Sequence, residues 1–431
     1  MSNAPAEAGD GVAGVSEGGE PRRPGGCSRG RSGASGVRPD LAVLSLTLSL
    51  AACASPPEAP NGAPWPGESW PVSSPEAEGI RAPALDSLVA DMEAGVYGLV
   101  DALLVIRHGK VVADHRFQQD YDSVFAVYGG EPGIYNYDDP SWHPYKDGSD
   151  LHTLQSVTKS VSSAAFGIAV DEGLVPGVDT PAYAWFEDYE PYETDARKEA
   201  TTLEDFLTMR SGIDWTTEGG YDDAEHSTVL LEASDAWIRF VLDRPTDAEP
   251  GTVYEYNDGV SVLLGKIVRE ATGRRMDDWA REHLFEPIGI DEFYWKITPD
   301  GEADTEGGLY LTTHDLARIG YLFLRDGEWD GEQIISREWV RASTAPAVPG
   351  VAPDGTGPGY GYQWWVPVHE DGESLVYAGN GYGGQFLFVV PSEDLVVVFN
   401  GWQHHDEPER STWTALQERI LPALVDPSRD W

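Results

Sequence analysis

The chain has 431 residues, 41% of them apolar, with 15 Trp and 19 Tyr, which is ample material for a folded core and excludes general disorder. Its 73 acidic residues against 29 basic ones give a formal net charge of −44; such a surface repels phosphate, so nucleic acid is excluded as a partner. The length exceeds the size at which one core keeps growing, so one large composite domain or two domains are expected.

Residues 1–52 read as a leader. From Met1 to about Asp40 the chain is rich in Gly, Ser and Pro and carries Arg22, Arg23, Arg29, Arg31 and Arg38. The run LAVLSLTLSLAA, Leu41 to Ala52, is too short to span a bilayer and suits the apolar part of a signal peptide. It ends at Cys53, and LAAC resembles a bacterial lipoprotein signal, which implies cleavage before Cys53 and lipidation of its thiol. The expected location is the cell envelope, with the protein anchored to the membrane by lipid on the periplasmic or extracellular side. The other cysteine, Cys27, lies in the leader, so the mature domain has no disulfide and depends on its core. Residues 53–75, ASPPEAPNGAPWPGESWPVSSP after the cysteine, read as a proline-rich tether.

The domain proper is expected over residues 76–428. A helical pattern at about 82–94 precedes two apolar runs, DALLVIR and KVVADHRF, that flank His108–Gly109 and predict a hairpin. An aromatic, acidic loop follows at about 119–150. Helical patterns dominate from about 157 to 345. QFLFVV and LVVVF, on either side of Pro391–Ser392–Glu393–Asp394, predict a second strand–turn–strand, and an amphipathic helix at about 410–424 closes the chain. Strands at both ends with helices between them predict one sheet assembled from both termini and a helical insertion at about 160–345.

The stretch LQSVTKS, Leu154 to Ser160, carries the first chemistry. In a helix, positions i and i+3 share a face about 5–6 Å apart, so Ser156 and Lys159 face one another across one turn. A serine hydroxyl becomes a good nucleophile when a base takes its proton, and a desolvated lysine is such a base. A helix N-terminus at Ser156 adds a positive dipole end and free N–H groups beside a developing oxyanion. The alternative for this short pattern alone is a capping serine and a solvated lysine.

The context selects between them. DLHTLQSVTKSVSSAAFGIAVDEG (150–173) closely resembles the nucleophile segment of the serine β-lactamase and penicillin-binding-protein superfamily, in particular its class C-related esterases, amidases and peptidases. ATTLEDFLTMRSGIDW (200–215), PGTVYEYNDGVSVLLGKIVREATG (250–273), GGLYLTTHDLARIGYLFLRDGEWDGEQIIS (307–336) and GYGYQWWV (359–366) resemble later blocks of that family in the same order, over roughly 76–425. The resemblance implies a β-lactamase/transpeptidase-like α/β fold with an all-α insertion, its antiparallel sheet built from both chain ends and flanked by helices.

It also implies roles. Tyr256 in Tyr256–Asn257–Asp258 stands where the family has the tyrosine that shares a proton with the lysine, so Ser156, Lys159 and Tyr256 are the expected catalytic set. Asp258 departs from the usual Asn or Ser and is expected at the substrate, where it would repel an anion or hold Lys159 charged. Where relatives often carry a Lys or His that binds a substrate carboxylate, alignment back from Pro391 puts Gly379–Asn380–Gly381. Asn380 and Gly381 are therefore expected to border the substrate, with the Tyr382 N–H pairing with that of Ser156 as an oxyanion hole. Trp364 and Trp365 are expected as packing.

Other sites lack support. G-x-S-x-G is absent, so an α/β-hydrolase elbow is not indicated. His404–His405 and Asp406 have no H-E-x-x-H or cysteine cluster beside them, and neither a metal nor a cofactor is expected. The expected function is a secreted, membrane-tethered serine hydrolase that acts through an acyl-enzyme on an ester, amide or peptide. The alternatives are a β-lactamase or D-alanyl-D-alanine carboxypeptidase and, from another class, a catalytically silent envelope binding protein.

Overall fold

The structure is a computed structural model that describes residues 63–117, 119, 149–189, 192, 195–217, 220–221, 223–352, 354–367, 376–403 and 408–425. The leader, Cys53, most of the 119–150 loop and the His404–His405–Asp406 stretch lie outside the described residues.

The apolar runs flanking His108–Gly109 form the hairpin they predict. Val100–Arg107 and Lys110–Arg116 pair antiparallel. His108 (φ 51°) and Gly109 (φ 73°) both take left-handed backbone, which a two-residue type I′ connection requires. At the other end Gln385–Val390 and Leu395–Gly401 pair across Pro391–Glu393 and Asp394. The two hairpins meet edge to edge, with Leu104 opposite Val398. The result is a seven-stranded antiparallel sheet in the order Lys110–Arg116, Val100–Arg107, Leu395–Gly401, Gln385–Val390, Tyr377–Gly381, Trp365–Val366, Gly359–Tyr360.

Successive side chains of a strand point to opposite faces, and here both faces are covered. Leu104, Ile106, Leu387, Val389, Val396 and Val398 belong to a core shared with the Val157–Asp171 and Thr313–Leu324 helices. Leu103, Val105, Phe388, Val397 and Phe399 pack with Leu85, Leu88 and Met92 of the Ala82–Glu93 helix and with Leu416 and Ile420 near the C-terminus. Each such side chain contributes roughly 1.5–3 kcal/mol when fully buried. Double coverage explains why these strands read as unbroken apolar runs rather than as alternating ones.

The Val157–Asp171 helix runs through the middle, buried from Val157 to Ala169. Its small residues permit this: at Gly167 a Cβ would lie 2.4 Å from the Trp339 ring. The expected helical insertion contains the Ser227–Glu232, Trp237–Leu242, Asp258–Thr272 and Thr313–Leu324 helices, among others. It is interrupted by a small sheet in which Leu309–Leu311 pairs with His152–Thr153 and Tyr294–Trp295.

The proline-rich segment corrects one expectation. Residues 64–73 are not a free tether but lie along the domain. Trp70 is buried and its ring Nε1 donates to the His314 carbonyl. Trp65 packs edge-on against Tyr321 (5.5 Å), the Tyr321 hydroxyl donates to the Pro64 carbonyl, and Ser73 N donates to Val111 O. Two tryptophans in a proline-rich stretch supply the apolar area that holds it down.

Candidate active site

The site begins at a turn. The short strand His152–Thr153 ends, Gln155 takes left-handed backbone (φ 48°), and Ser156 opens the Val157–Asp171 helix. Ser156 occupies the N-cap position yet makes no side-chain cap bond. Its Oγ instead accepts from Lys159 Nζ at 3.0 Å, one turn along. The Tyr256 hydroxyl interacts with both Ser156 and Lys159, and Lys159 Nζ lies 5.1 Å from the Tyr256 ring centroid. Ser156, Lys159 and Tyr256 are thus brought together.

Lys159 is almost fully enclosed. Besides Ser156 it donates to the Glu306 carbonyl (2.7 Å) and pairs with Asp258 Oδ1 (2.6 Å) and Glu306 Oε2 (3.4 Å). Burial by itself would lower the lysine pKa; Asp258, Tyr256 and Glu306 together outweigh it and hold it well above the ordinary value. Burial also raises the Tyr256 phenol, with Asp258 adding to the rise and Lys159 opposing it.

Asp258 departs from its expected place at the substrate. It is 1% exposed. Asn257 caps the Asp258–Thr272 helix through a bond to Val260 N (3.2 Å), which puts Asp258 in the first turn, where the helix dipole favours a carboxylate. One oxygen faces Lys159 and the other accepts from the Thr228 hydroxyl. Its partners are therefore buried groups and not the open cleft.

Glu306 is a site residue that sequence reasoning passed over. It sits in the Asp304–Gly308 turn, where Asp304 Oδ1 accepts from the N–H groups of Glu306 and Gly307, both at 3.1 Å. Glu232, at the end of the Ser227–Glu232 helix, hydrogen-bonds to it. Burial, then Glu306 and Asp304, push the Glu232 carboxyl well above the carboxylate range. The one signal for this pair was an acidic residue directly before Gly307–Gly308.

Gly379, Asn380 and Gly381 lie on the Tyr377–Gly381 strand, along the start of the Val157–Asp171 helix. The fit requires glycine: a Cβ at Gly379 would meet Val157 Cγ1 at 2.8 Å, and one at Gly381 would meet the Leu154 carbonyl at 2.4 Å. This contact carries the Tyr382 backbone to the side of the Gln155–Ser156 turn. Asn380 is half-buried and Tyr382 is exposed.

Aromatic rings line both flanks. The Tyr382 ring lies 4.9 Å from that of Tyr221, which lies 4.9 Å from His226. Trp365, expected as packing, stacks on Tyr256 at 6.0 Å, while Trp364 is fully buried. Among the described residues no three His, Cys, Asp or Glu side chains are disposed to hold a metal ion.

A serine freed from its cap, a buried lysine one turn away and a tyrosine beside both can accept and pass a proton while the serine attacks a carbonyl. The β-lactamase family model matches residues 85–419. The 6-aminohexanoate-dimer hydrolase of Paenarthrobacter ureafaciens is 26% identical over 372 residues, 81% of this chain and 84% of its own length. Two solved structures share the fold. EstCE1, described as a hydrolase with promiscuous acyltransferase activity, gives a TM-score of 0.60 at 14% identity, over 81% of this chain and all of its own. The octameric penicillin-binding protein homologue from Pyrococcus abyssi gives 0.57 at 19% identity, over 79% of each chain. With a family match across most of its length, the chain belongs to the β-lactamase family and is a serine hydrolase of the β-lactamase and penicillin-binding-protein superfamily.

Proposed function

We propose that the chain hydrolyses esters or amides through an acyl-enzyme: Ser156 attacks, Lys159 and Tyr256 handle the proton, and water deacylates. The observation that carries this reading is the Ser156 hydroxyl, unused as a helix cap and 3.0 Å from Lys159 Nζ. The N–H groups of Ser156 and Tyr382 form the oxyanion hole, and Asn380 and Gly381 border the acyl group. The relative named as a 6-aminohexanoate-dimer hydrolase and the fold neighbour named as a hydrolase with promiscuous acyltransferase activity support an acyl-transfer reaction. Gly379–Asn380–Gly381 offers no cation to a substrate carboxylate, which favours neutral substrates over penicillins and D-Ala-D-Ala peptides. The test is to incubate the soluble domain with a fluorophosphonate, a labelled penicillin and a panel of p-nitrophenyl esters. An adduct at Ser156 by mass spectrometry, with turnover of the esters, supports the reading; a chain inert to all three removes it.

The leader supports a second part of the reading: export, cleavage before Cys53 and a lipid anchor at the cell envelope. One lipid chain binds a membrane only marginally, so stable tethering takes more than one. The native protein should enter the detergent phase and the Cys53→Ser form should not. Release of the unsubstituted protein into the medium, its N-terminus unmodified, would count against the anchor.

A further inference from the structure

Lys159 Nζ donates to Ser156 Oγ (3.0 Å), to the Glu306 carbonyl (2.7 Å) and to Glu306 Oε2 (3.4 Å), and it forms an ion pair with Asp258 Oδ1 at 2.6 Å. A lysine held in this way takes a proton from Ser156 only as it gives one away. Burial raises the Tyr256 phenol above its ordinary value, which disfavours its anion. Two carboxyl groups stand next to the lysine. Glu306 is the more distant, at 3.4 Å, and shares its carboxyl with Glu232. Asp258 is the nearer, and its second oxygen is steadied by Thr228.

We propose that Asp258, a positioning residue that never touches substrate, is the final proton acceptor of this site and works through Lys159. The proposal rests on the acyl-enzyme reading above. As Ser156 Oγ bonds to the carbonyl carbon, its O–H breaks and the proton passes to Lys159 Nζ. Lys159 gives one of its own protons to Asp258 Oδ1 and remains an ammonium, while the carbonyl π pair moves onto oxygen. Asp258 is then a neutral carboxylic acid. When the tetrahedral adduct collapses, the same path runs backwards: Asp258 returns its proton to Lys159, which protonates the leaving alkoxide or amine. Water repeats the cycle in deacylation. The relay moves one proton each way and needs no co-reactant. It also accounts for a carboxylate being buried against a lysine that a neutral-base mechanism would need uncharged.

Several other groups act electrostatically on this pair. Tyr254 and Tyr256 do so from the segment before the Asp258–Thr272 helix, Tyr360 from the edge of the sheet, Glu306 from its turn, and Tyr221, His226 and Glu232 from 221–232. Burial raises the Glu232 carboxyl and lowers the His226 imidazole, which favours the uncharged form of each.

The experiment measures fluorophosphonate labelling of Ser156, and hydrolysis of p-nitrophenyl butyrate, against pH in the full domain and in Asp258→Asn and Asp258→Glu. For Asp258→Asn the expected loss in kcat at pH 7 is about 10²-fold, the scale of a positioned acid–base group, with KM within about threefold. Its labelling and turnover should recover as pH rises through a range where the unsubstituted protein is flat, because Lys159 must then lose its own proton. Asp258→Glu keeps a carboxylate and should keep the original pH profile at a lower kcat. Asp258→Asn at or above the original rate at pH 7 would overturn the relay, as would an equal fall at every pH. An alkaline shift in Asp258→Glu as large as in Asp258→Asn would also overturn it. If the unsubstituted protein takes no label at Ser156, the acyl-enzyme reading itself falls and the relay with it.

Discussion

Lys159 Nζ lies 2.6 Å from Asp258 Oδ1, and each side chain is 1% exposed. Such a pair offsets its own desolvation only while both charges are present. Lys159→Met should therefore cost roughly 3–5 kcal/mol, because it strands Asp258 beside Glu306. Adding Asp258→Asn should recover part of that loss although two native residues are now gone. Urea unfolding of the single and double variants decides this. A double variant less stable than Lys159→Met would show that the pair acts on stability in some other way.

Ser156 stands at a helix N-cap without making a cap bond, so removing its hydroxyl should leave the helix intact. Ser156→Ala is expected to abolish the fluorophosphonate adduct and ester turnover. Its stability should stay within about 1 kcal/mol, less than the loss of a working cap commonly costs. Unchanged turnover would move the nucleophile elsewhere, and a large drop in melting temperature would reveal a structural role for the hydroxyl.

Far from the site, Glu78 accepts from Lys110 Nζ (2.7 Å) and faces His108 Nδ1 (2.9 Å). Burial alone would raise its carboxyl, but hydrogen bonds from Lys110, His108 and Ser73 prevail and bring the pKa down to about 2 from 4.5. The folded-state value is depressed, so this stabilisation is fully present above the unfolded pKa of 4.5 and is lost as pH falls towards 2. With Lys110 and His108 partly solvated, roughly 1–2 kcal/mol is expected. The stability gap between the unsubstituted protein and Glu78→Gln should be constant from pH 7 to 5 and close between 4.5 and 2. A gap independent of pH would remove Glu78 from the acid response.

Gly379 leaves no room for a side chain, since a Cβ there meets Val157 at 2.8 Å. A substrate carboxylate meets no cation at Gly379–Asn380–Gly381. It forgoes a charge-assisted hydrogen bond of about 1.5–3 kcal/mol, on the order of 10- to 100-fold in specificity constant. kcat/KM for p-nitrophenyl butyrate should exceed that for nitrocefin accordingly. Faster turnover of nitrocefin would replace the esterase preference with a β-lactamase reading. Gly379→Lys should destabilise the domain through the Val157 contact rather than create an anion site.

What the sequence determined by itself was local. The His108–Gly109 hairpin and the strands around Pro391–Asp394 follow from unbroken apolar runs and turn chemistry, and the facing of Ser156 and Lys159 follows from the helical i, i+3 spacing. The family resemblance added Tyr256 and the strand with Gly379. What the tertiary structure alone decided was convergence. Asp258 was readable as a departure, but whether its carboxylate met substrate or lysine depended on how the Asp258–Thr272 helix packs against the Val157–Asp171 helix. Glu306, 147 residues beyond Lys159, and Thr228 reach the same point by packing alone. The docking of Trp65 and Trp70 likewise needed a surface from the Thr313–Leu324 helix, which composition does not reveal. Short-range patterns encode which face a residue presents, and only the packed core sets what that face meets.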